Sequence, residues 1–227
     1  MPDEVQQPTG ADPAPVDDQA VARADLCRFL AGCYYEPSEV FAEEGLMASL
    51  QAAAARISPE LAAHADRLAT AFEAVPLQDL LVDYTRLFLS APQALAKPYA
   101  SVWLSNEPGL MQDSVDELLK LYEQGGLEID ADFQDLPDHV AVELEFLYLL
   151  IWQHNQAAAA GDAQARQAVE VLRSSFLLGH LGRWLGGFIL AVHEHARCAF
   201  YEELAELTEL FVRLEGQRAE VDPATVH

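Results

Sequence analysis

Apolar residues recur along this chain at three- and four-residue spacings, and no stretch alternates apolar with polar over any length, so the pattern predicts helices throughout. From Asp18, the positions Val21, Leu26, Phe29, Leu30 and Cys33 fall on one helical face. Pro37 disfavours helix in the residue before it and should end this first helix near Tyr34-Tyr35. A second helix is expected from Pro37-Ser38 through Phe41, Leu46 and Leu50. Ser58-Pro59-Glu60 then supplies a cap, a first-turn proline and an acidic first turn for a third, in an alanine-rich stretch (52–74) that favours helix. Leu77–Leu89 makes a fourth, with Leu80, Leu81, Tyr84, Leu87 and Phe88 on its apolar face. Pro92, Pro98 and Pro108 make 90–108 a long extended loop, and Met111–Gln124 returns to helix until Gly125-Gly126 ends it.

The most apolar helix comes next. Pro137 suits a first turn and marks its start, Asp138 sits where the helix dipole favours negative charge, and the helix runs to Trp152. Beyond Glu145 it is apolar on every side, the signature of a helix surrounded by others. After a break at Ala160-Gly161, Asp162 caps a further helix. Glycines 179, 182, 186 and 187 bend the apolar Phe176–Val192 tract, and His180 and Arg183 interrupt it, which argues against a membrane span. That tract leads into Phe188–His195, and Tyr201–Leu214 is the last amphipathic helix. The expected architecture is all-α, a single-domain helical bundle over 18–214 with a long proline-containing loop and a central buried helix. Residues 1–17 form an acidic, proline-rich tail too polar to repay ordering, and 215–227 a C-terminal tail.

Charge narrows the partners. Thirty-seven Asp and Glu against thirteen Lys and Arg give a formal charge of -24, which repels nucleic acid and anionic membrane surfaces, so a charged partner should be basic. The plainer reading is that this acidity keeps the protein soluble. Cys27, Cys33 and Cys198 form no paired framework and suit a reducing compartment, and the N-terminus lacks the basic start and apolar core of a secretory signal. Both observations lead to a cytoplasmic expectation.

Candidate chemistry clusters at the start of the central helix. His139 and Glu143 lie four apart, and with Glu145 they offer one alternative, a helical metal-dependent enzyme. The Glu-x-x-His pattern of di-metal bundles is missing, because Phe146 and Tyr148 stand three after Glu143 and Glu145. His193 and His195 point about 200° apart on a helix and do not converge. No Ser or Cys nucleophile with a helper accompanies Asp138 and His139. The plainer reading gives Asp138 a cap and dipole role of roughly 0.3–1 kcal/mol, and a purely structural helical subunit remains open.

Two strings together carry a resemblance. Tyr84-Thr85-Arg86-Leu87-Phe88, within Asp83–Leu89, has the form aromatic-x-x-Leu-Phe, and Asp135-Leu136-Pro137-Asp138-His139 has the form Glu-x-Pro-Asp-His with Asp in the first place. With the loop Pro98-Tyr99-Ala100-Ser101-Val102-Trp103 and the run Glu143-Leu144-Glu145-Phe146, over roughly 20–214, the sequence resembles the TorD/DmsD/NarJ family of redox-enzyme maturation chaperones, most closely the TorD/DmsD branch. The resemblance implies an all-helical cytoplasmic chaperone with no reaction and no cofactor of its own. Its partner would be the twin-arginine signal peptide and apo form of a molybdoenzyme catalytic subunit, held back from export until the molybdenum cofactor is inserted. Carried over by position, Tyr84, Leu87 and Phe88 would form an apolar wall, and Pro98, Tyr99 and Trp103 would line the groove. Asp138 would meet arginine, His139 would hydrogen-bond or orient the peptide and Pro137 would fix the helix start, while Asp135 joins the signal-peptide-binding set with the charge of the family's Glu and a shorter reach. Core packing is the plainer role for Tyr84, Leu87 and Phe88. The 90–108 and 126–136 stretches are candidate hinges, so both a monomer and a domain-swapped dimer fit.

Overall fold

Local chemistry opens and closes the helices much as the pattern predicts. The computed structural model describes residues 17–89, 93–104, 108–129 and 135–221. The expected tail over 1–16, parts of both candidate hinges (90–92, 105–107, 130–134) and the last six residues lie outside the described residues. Asp17 belongs to the first helix and not to the tail, since its carboxylate accepts the Gln19 N–H and caps α1 (Asp18–Cys33). The expected second helix divides at Gly45, whose φ of 64° belongs to the left-handed region open to glycine, into α2 (Val40–Glu43) and α3 (Leu46–Ile57). Ser58 caps α4 (Pro59–Ala74) through the Leu61 N–H, with Pro59 in the first turn as expected.

Three differences follow from tertiary packing. The fourth helix is α only over α5 (Leu77–Tyr84) and widens into a π-helical turn over Thr85–Leu89. The proline-rich loop holds a short helix, α6 (Ala100–Leu104), and the next helix, α7 (Pro108–Gly125), begins at the proline expected to end the loop. The last helix, α11 (Ala199–Val221), runs well past Leu214, and Glu215 and Ala219, expected in a tail, are buried.

The central helix is α8 (Val140–Ala159), packed against α1 and α9 (Ala163–Phe176). Leu144, Phe146, Leu147 and Leu150 are fully buried on it, each stabilising the fold by roughly 1.5–3 kcal/mol. It is not enclosed on every side, because Glu145, Tyr148, Leu149 and Trp152 keep a partly open stripe at helical spacing. A π-helical turn (Leu177–Leu181) joins α9 to α10 (Gly182–His195). Within the 163–195 run one 18-residue window reaches the mean hydropathy (1.3) of a membrane span, yet 56% of that window is buried against the rest of the protein, as in a core helix. All three cysteines are free, Cys27 and Cys33 buried and Cys198 partly exposed.

Candidate functional site

The Asp135–His139 string meets the proline-aromatic loop at Tyr99 through an antiparallel backbone bridge, the one isolated bridge among the described residues. Val140 donates its N–H to the Pro98 carbonyl (2.8 Å) and Ala100 donates to the Asp138 carbonyl (3.0 Å), which sets Tyr99 opposite His139. Proline has no N–H, and Pro98 pairs through its carbonyl. The Tyr99 hydroxyl donates to Asp135 Oδ1 (2.9 Å), which also accepts the Leu136 N–H (2.7 Å). The Tyr122 hydroxyl donates to the Pro137 carbonyl (2.9 Å).

These bonds move the helix start. Pro137 lies in the turn before α8, and His139 is the cap: its Nδ1 accepts the Ala141 N–H (3.1 Å). Asp138 does not cap α8. Its Oδ2 accepts the Ser101 N–H (2.9 Å) at the start of α6, and its Oδ1 has no hydrogen-bond partner among the described residues. Asp138 and His139, expected at an exposed mouth, are 1% and 3% exposed. The bridge from the 98–100 strand covers them, and sequence periodicity cannot foresee that cover.

Around His139 the open side of the site is aromatic and acidic. Tyr35 lies parallel to the imidazole (centroids 6.1 Å, 5°) and Tyr99 meets it edge-on (5.4 Å, 73°). The Tyr35 hydroxyl donates to Glu145 Oε1 (2.9 Å), and Asp135 Oδ2 stands 4.0 Å from His139 Nε2. Burial raises the Glu145 carboxyl, opposed by the Tyr35 hydrogen bond. Asp135, Asp138 and Glu145 pair with no Lys or Arg among the described residues. Two carboxylates on the His139 imidazole and a third on the Tyr35 hydroxyl therefore leave a local excess of negative charge.

Burial lowers the His139 pKa from 6.5, against Asp135 and Asp138, which raise it. A depressed histidine pKa means that the unfolded chain binds a proton first. Stability is then fully present above 6.5 and is lost as pH falls from 6.5 toward the folded value, by at most about 1.4 kcal/mol per pH unit. His139→Asn keeps a capping acceptor, so denaturant melts from pH 7.5 to 5 should show a flatter profile for the variant than for the parent. Parallel profiles would place the His139 proton outside folding.

The remaining expected residues separate. Tyr84, Leu87 and Phe88 are buried in an aromatic core with Tyr34, Phe188 and Tyr201 and are not an open wall. Tyr84 links that core to the site, since Asp135 acts on its phenol and it acts on that of Tyr99. Trp103 is half-buried, its indole N–H on the Lys97 carbonyl (2.9 Å), and its ring covers Gly187, where a Cβ would come within 3.0 Å of Cε3. Tyr35 was not foreseen, and Glu145 was foreseen only as a metal ligand. No local pattern joins them, because they lie 110 residues apart.

The metal alternative does not assemble. Glu143 is fully buried, with Oε1 on His180 Nε2 (2.9 Å) and Oε2 accepting the Trp184 indole N–H (3.0 Å), while Glu145 turns to Tyr35. Among the described residues one group could gather around an ion, His64, Glu203 and Glu206, and the Arg67 guanidinium already bonds to all three.

The family described as nitrate reductase delta subunit matches residues 51–190. A chaperone protein TorD of Shewanella loihica is 30% identical over 213 residues, covering 86% of this chain and 91% of its own. The TorD of Photobacterium profundum is 32% identical over 139 residues, 61% of this chain and 62% of its own. A crystal structure described as a redox enzyme maturation protein of Archaeoglobus fulgidus aligns with a TM-score of 0.49 at 23% identity, over 87% of this chain and 93% of its own.

Proposed function

The chain belongs to the nitrate reductase delta subunit family and is a redox-enzyme maturation chaperone of the TorD kind, and from that premise we propose that it binds the twin-arginine signal peptide of a molybdoenzyme. In this reading it acts in the cytoplasm, holding the apo-enzyme until its molybdenum cofactor is inserted and delaying export. Binding and release replace catalysis. The observation that carries the reading is the bridge that brings Tyr99 onto Asp135 beside His139, in a site whose carboxylates have no Lys or Arg partner among the described residues. A twin-arginine signal begins basic and continues apolar. Its guanidinium groups form two parallel hydrogen bonds to a carboxylate, which a lysine ammonium cannot do. The formal charge of -24 also draws a basic peptide toward the protein.

Asp138 and His139 are buried, so replacing them perturbs the fold as well as the site. Asp135, with its side chain 36% exposed, is the more accessible of the three, and asparagine there keeps an oxygen that can accept from Tyr99 and Leu136. Calorimetry with a synthetic twin-arginine peptide should show binding that weakens by about tenfold in Asp135→Asn, the loss of a hydrogen bond to a charged group. The arginine contribution should fade with added salt while the apolar contribution persists. No binding by the parent protein would refute the proposal.

A further inference from the structure

Resting on that reading of the site, we propose that the partly open face between α1 and α8 is the track for the signal peptide. Glu145, held by Tyr35, takes a guanidinium beside Asp135, and Phe29, Tyr148, Leu149 and Trp152 receive the apolar segment. Neither Tyr35 nor Glu145 is among the residues given a peptide-binding role by position. The apolar surface they lead to replaces the wall expected from Tyr84, Leu87 and Phe88, which the core has consumed.

The two helices run antiparallel. Tyr35 meets Glu145 at one end, Arg28 lies over Tyr148 midway, and Asn155 donates to the Ala20 carbonyl at the other. Glu145, Tyr148, Leu149 and Trp152 fall at i, i+3, i+4 and i+7 on one face of α8, with Phe29 and Gly32 alongside on α1 and Tyr35 just past its end. None of these residues is fully buried. Trp152 is 45% exposed, the one aromatic among the exposed large apolar side chains of the described residues. A tryptophan left in water at the end of an aromatic stripe is the kind of anchor that binding surfaces use.

Charge decides which way the peptide lies. At the Tyr35 end, Glu145 Oε1 accepts the Tyr35 hydroxyl, Oε2 has no donor among the described residues, and Glu36 and Asp135 stand nearby. Behind His139, the buried Asp138 Oδ1 has no partner, so its charge is uncompensated by hydrogen bonding. Midway along the face, the Arg28 guanidinium lies over the Phe29 and Tyr148 rings, 5.1 and 6.0 Å from their centroids. That cation, held only loosely by Asp25 (3.7 Å), disfavours a second basic group in the middle of the stripe. A chain that begins with arginines and continues apolar therefore seats its basic end at Glu145 and its apolar end toward Trp152.

The test is calorimetry on the full chain with a twin-arginine peptide, its Lys-Lys version, and a version with serines in the apolar segment. Glu145→Gln should lower affinity for the twin-arginine peptide about tenfold and abolish the preference over Lys-Lys. Tyr35→Phe, which releases Glu145 without opening space, should have a smaller effect in the same direction. Trp152→Ala should weaken the parent peptide by about fivefold and leave the serine version unchanged. Leu190→Ala, at a still more exposed apolar position on α10 (59%), is the control and should bind as the parent does. If the parent protein binds no peptide, the signal-peptide reading falls and this inference with it. If the parent binds and prefers arginine, yet Glu145→Gln and Trp152→Ala stay within twofold, or Leu190→Ala weakens binding as much as Trp152→Ala, the signal-peptide reading stands and the α1–α8 track is refuted.

Discussion

Asp83→Ala is expected to destabilise the protein by about 3–5 kcal/mol, the cost of removing one partner from a buried ion pair. Asp83 is 2% exposed and ties three segments together. Its Oδ1 pairs with Arg86 (2.5 Å), and its Oδ2 accepts the N–H groups of Arg197 and Cys198 (2.8 Å each), holding the turn that leads into α11. Arg86 also donates to the His195 carbonyl at the end of α10. Removing the carboxylate strands a part-buried guanidinium and two backbone donors together. For a chain of this length the melting temperature should fall on the order of 10 °C, read by circular dichroism. Asp83→Asn keeps an acceptor but no charge and should fall between the parent and the alanine variant. A change below about 1 kcal/mol in Asp83→Ala would mean that the clamp is not what holds α10 and α11 to the π-helical turn. The same residues begin the Asp83–Leu89 string, so that motif serves architecture at least as much as recognition.

Glu215→Ala should have a loss of similar size, again about 3–5 kcal/mol, for the same reason. Glu215 is 1% exposed, forms a two-pronged ion pair with Arg23 of α1 and accepts from Arg173 of α9 (2.9 Å). Arg173 would keep Glu170 (2.7 and 3.0 Å), but Arg23 would lose its carboxylate inside the bundle. Exchanging both members of the first pair, Arg23→Met with Glu215→Leu, removes the stranded charge and should be less destabilising than Glu215→Ala alone. A double-mutant cycle by urea denaturation measures the difference, and simple additivity would show that the pair is not coupled. None of these substitutions replaces a residue named for the peptide track, so peptide affinity at a temperature where the variants remain folded should be unchanged.

The helices were legible because their causes are local. Periodicity placed α1, α4, α8 and α9, and Ser58 and Asp162 cap as their side chains dictate. Where the cause lay elsewhere in the chain, the pattern misled. Pro137 has the chemistry of a first turn, yet its carbonyl is taken by Tyr122 and the next residues pair with 98–100, so the helix waits until Val140. Glu215 and Ala219 read as tail because only packing against α1 and α9 buries them. The candidate site divides the same way, since Asp135, Asp138 and His139 were found in one string, whereas their burial and the company of Tyr35 and Glu145 were not.

By itself, then, the sequence determined the helical class, several helix starts and ends such as those of α1 and α4, the acidic character and the family resemblance, all properties of neighbouring residues or of composition. Tertiary structure alone decided which residues of those strings meet solvent. It sent Tyr84, Leu87 and Phe88 into the core, closed Asp138 and His139 beneath a backbone bridge, and left Glu145, Tyr148, Leu149 and Trp152 open along α8. The reason is physical: exposure depends on what packs over a residue, and here the covering segments come from positions tens to nearly two hundred residues away, at distances that no local spacing encodes.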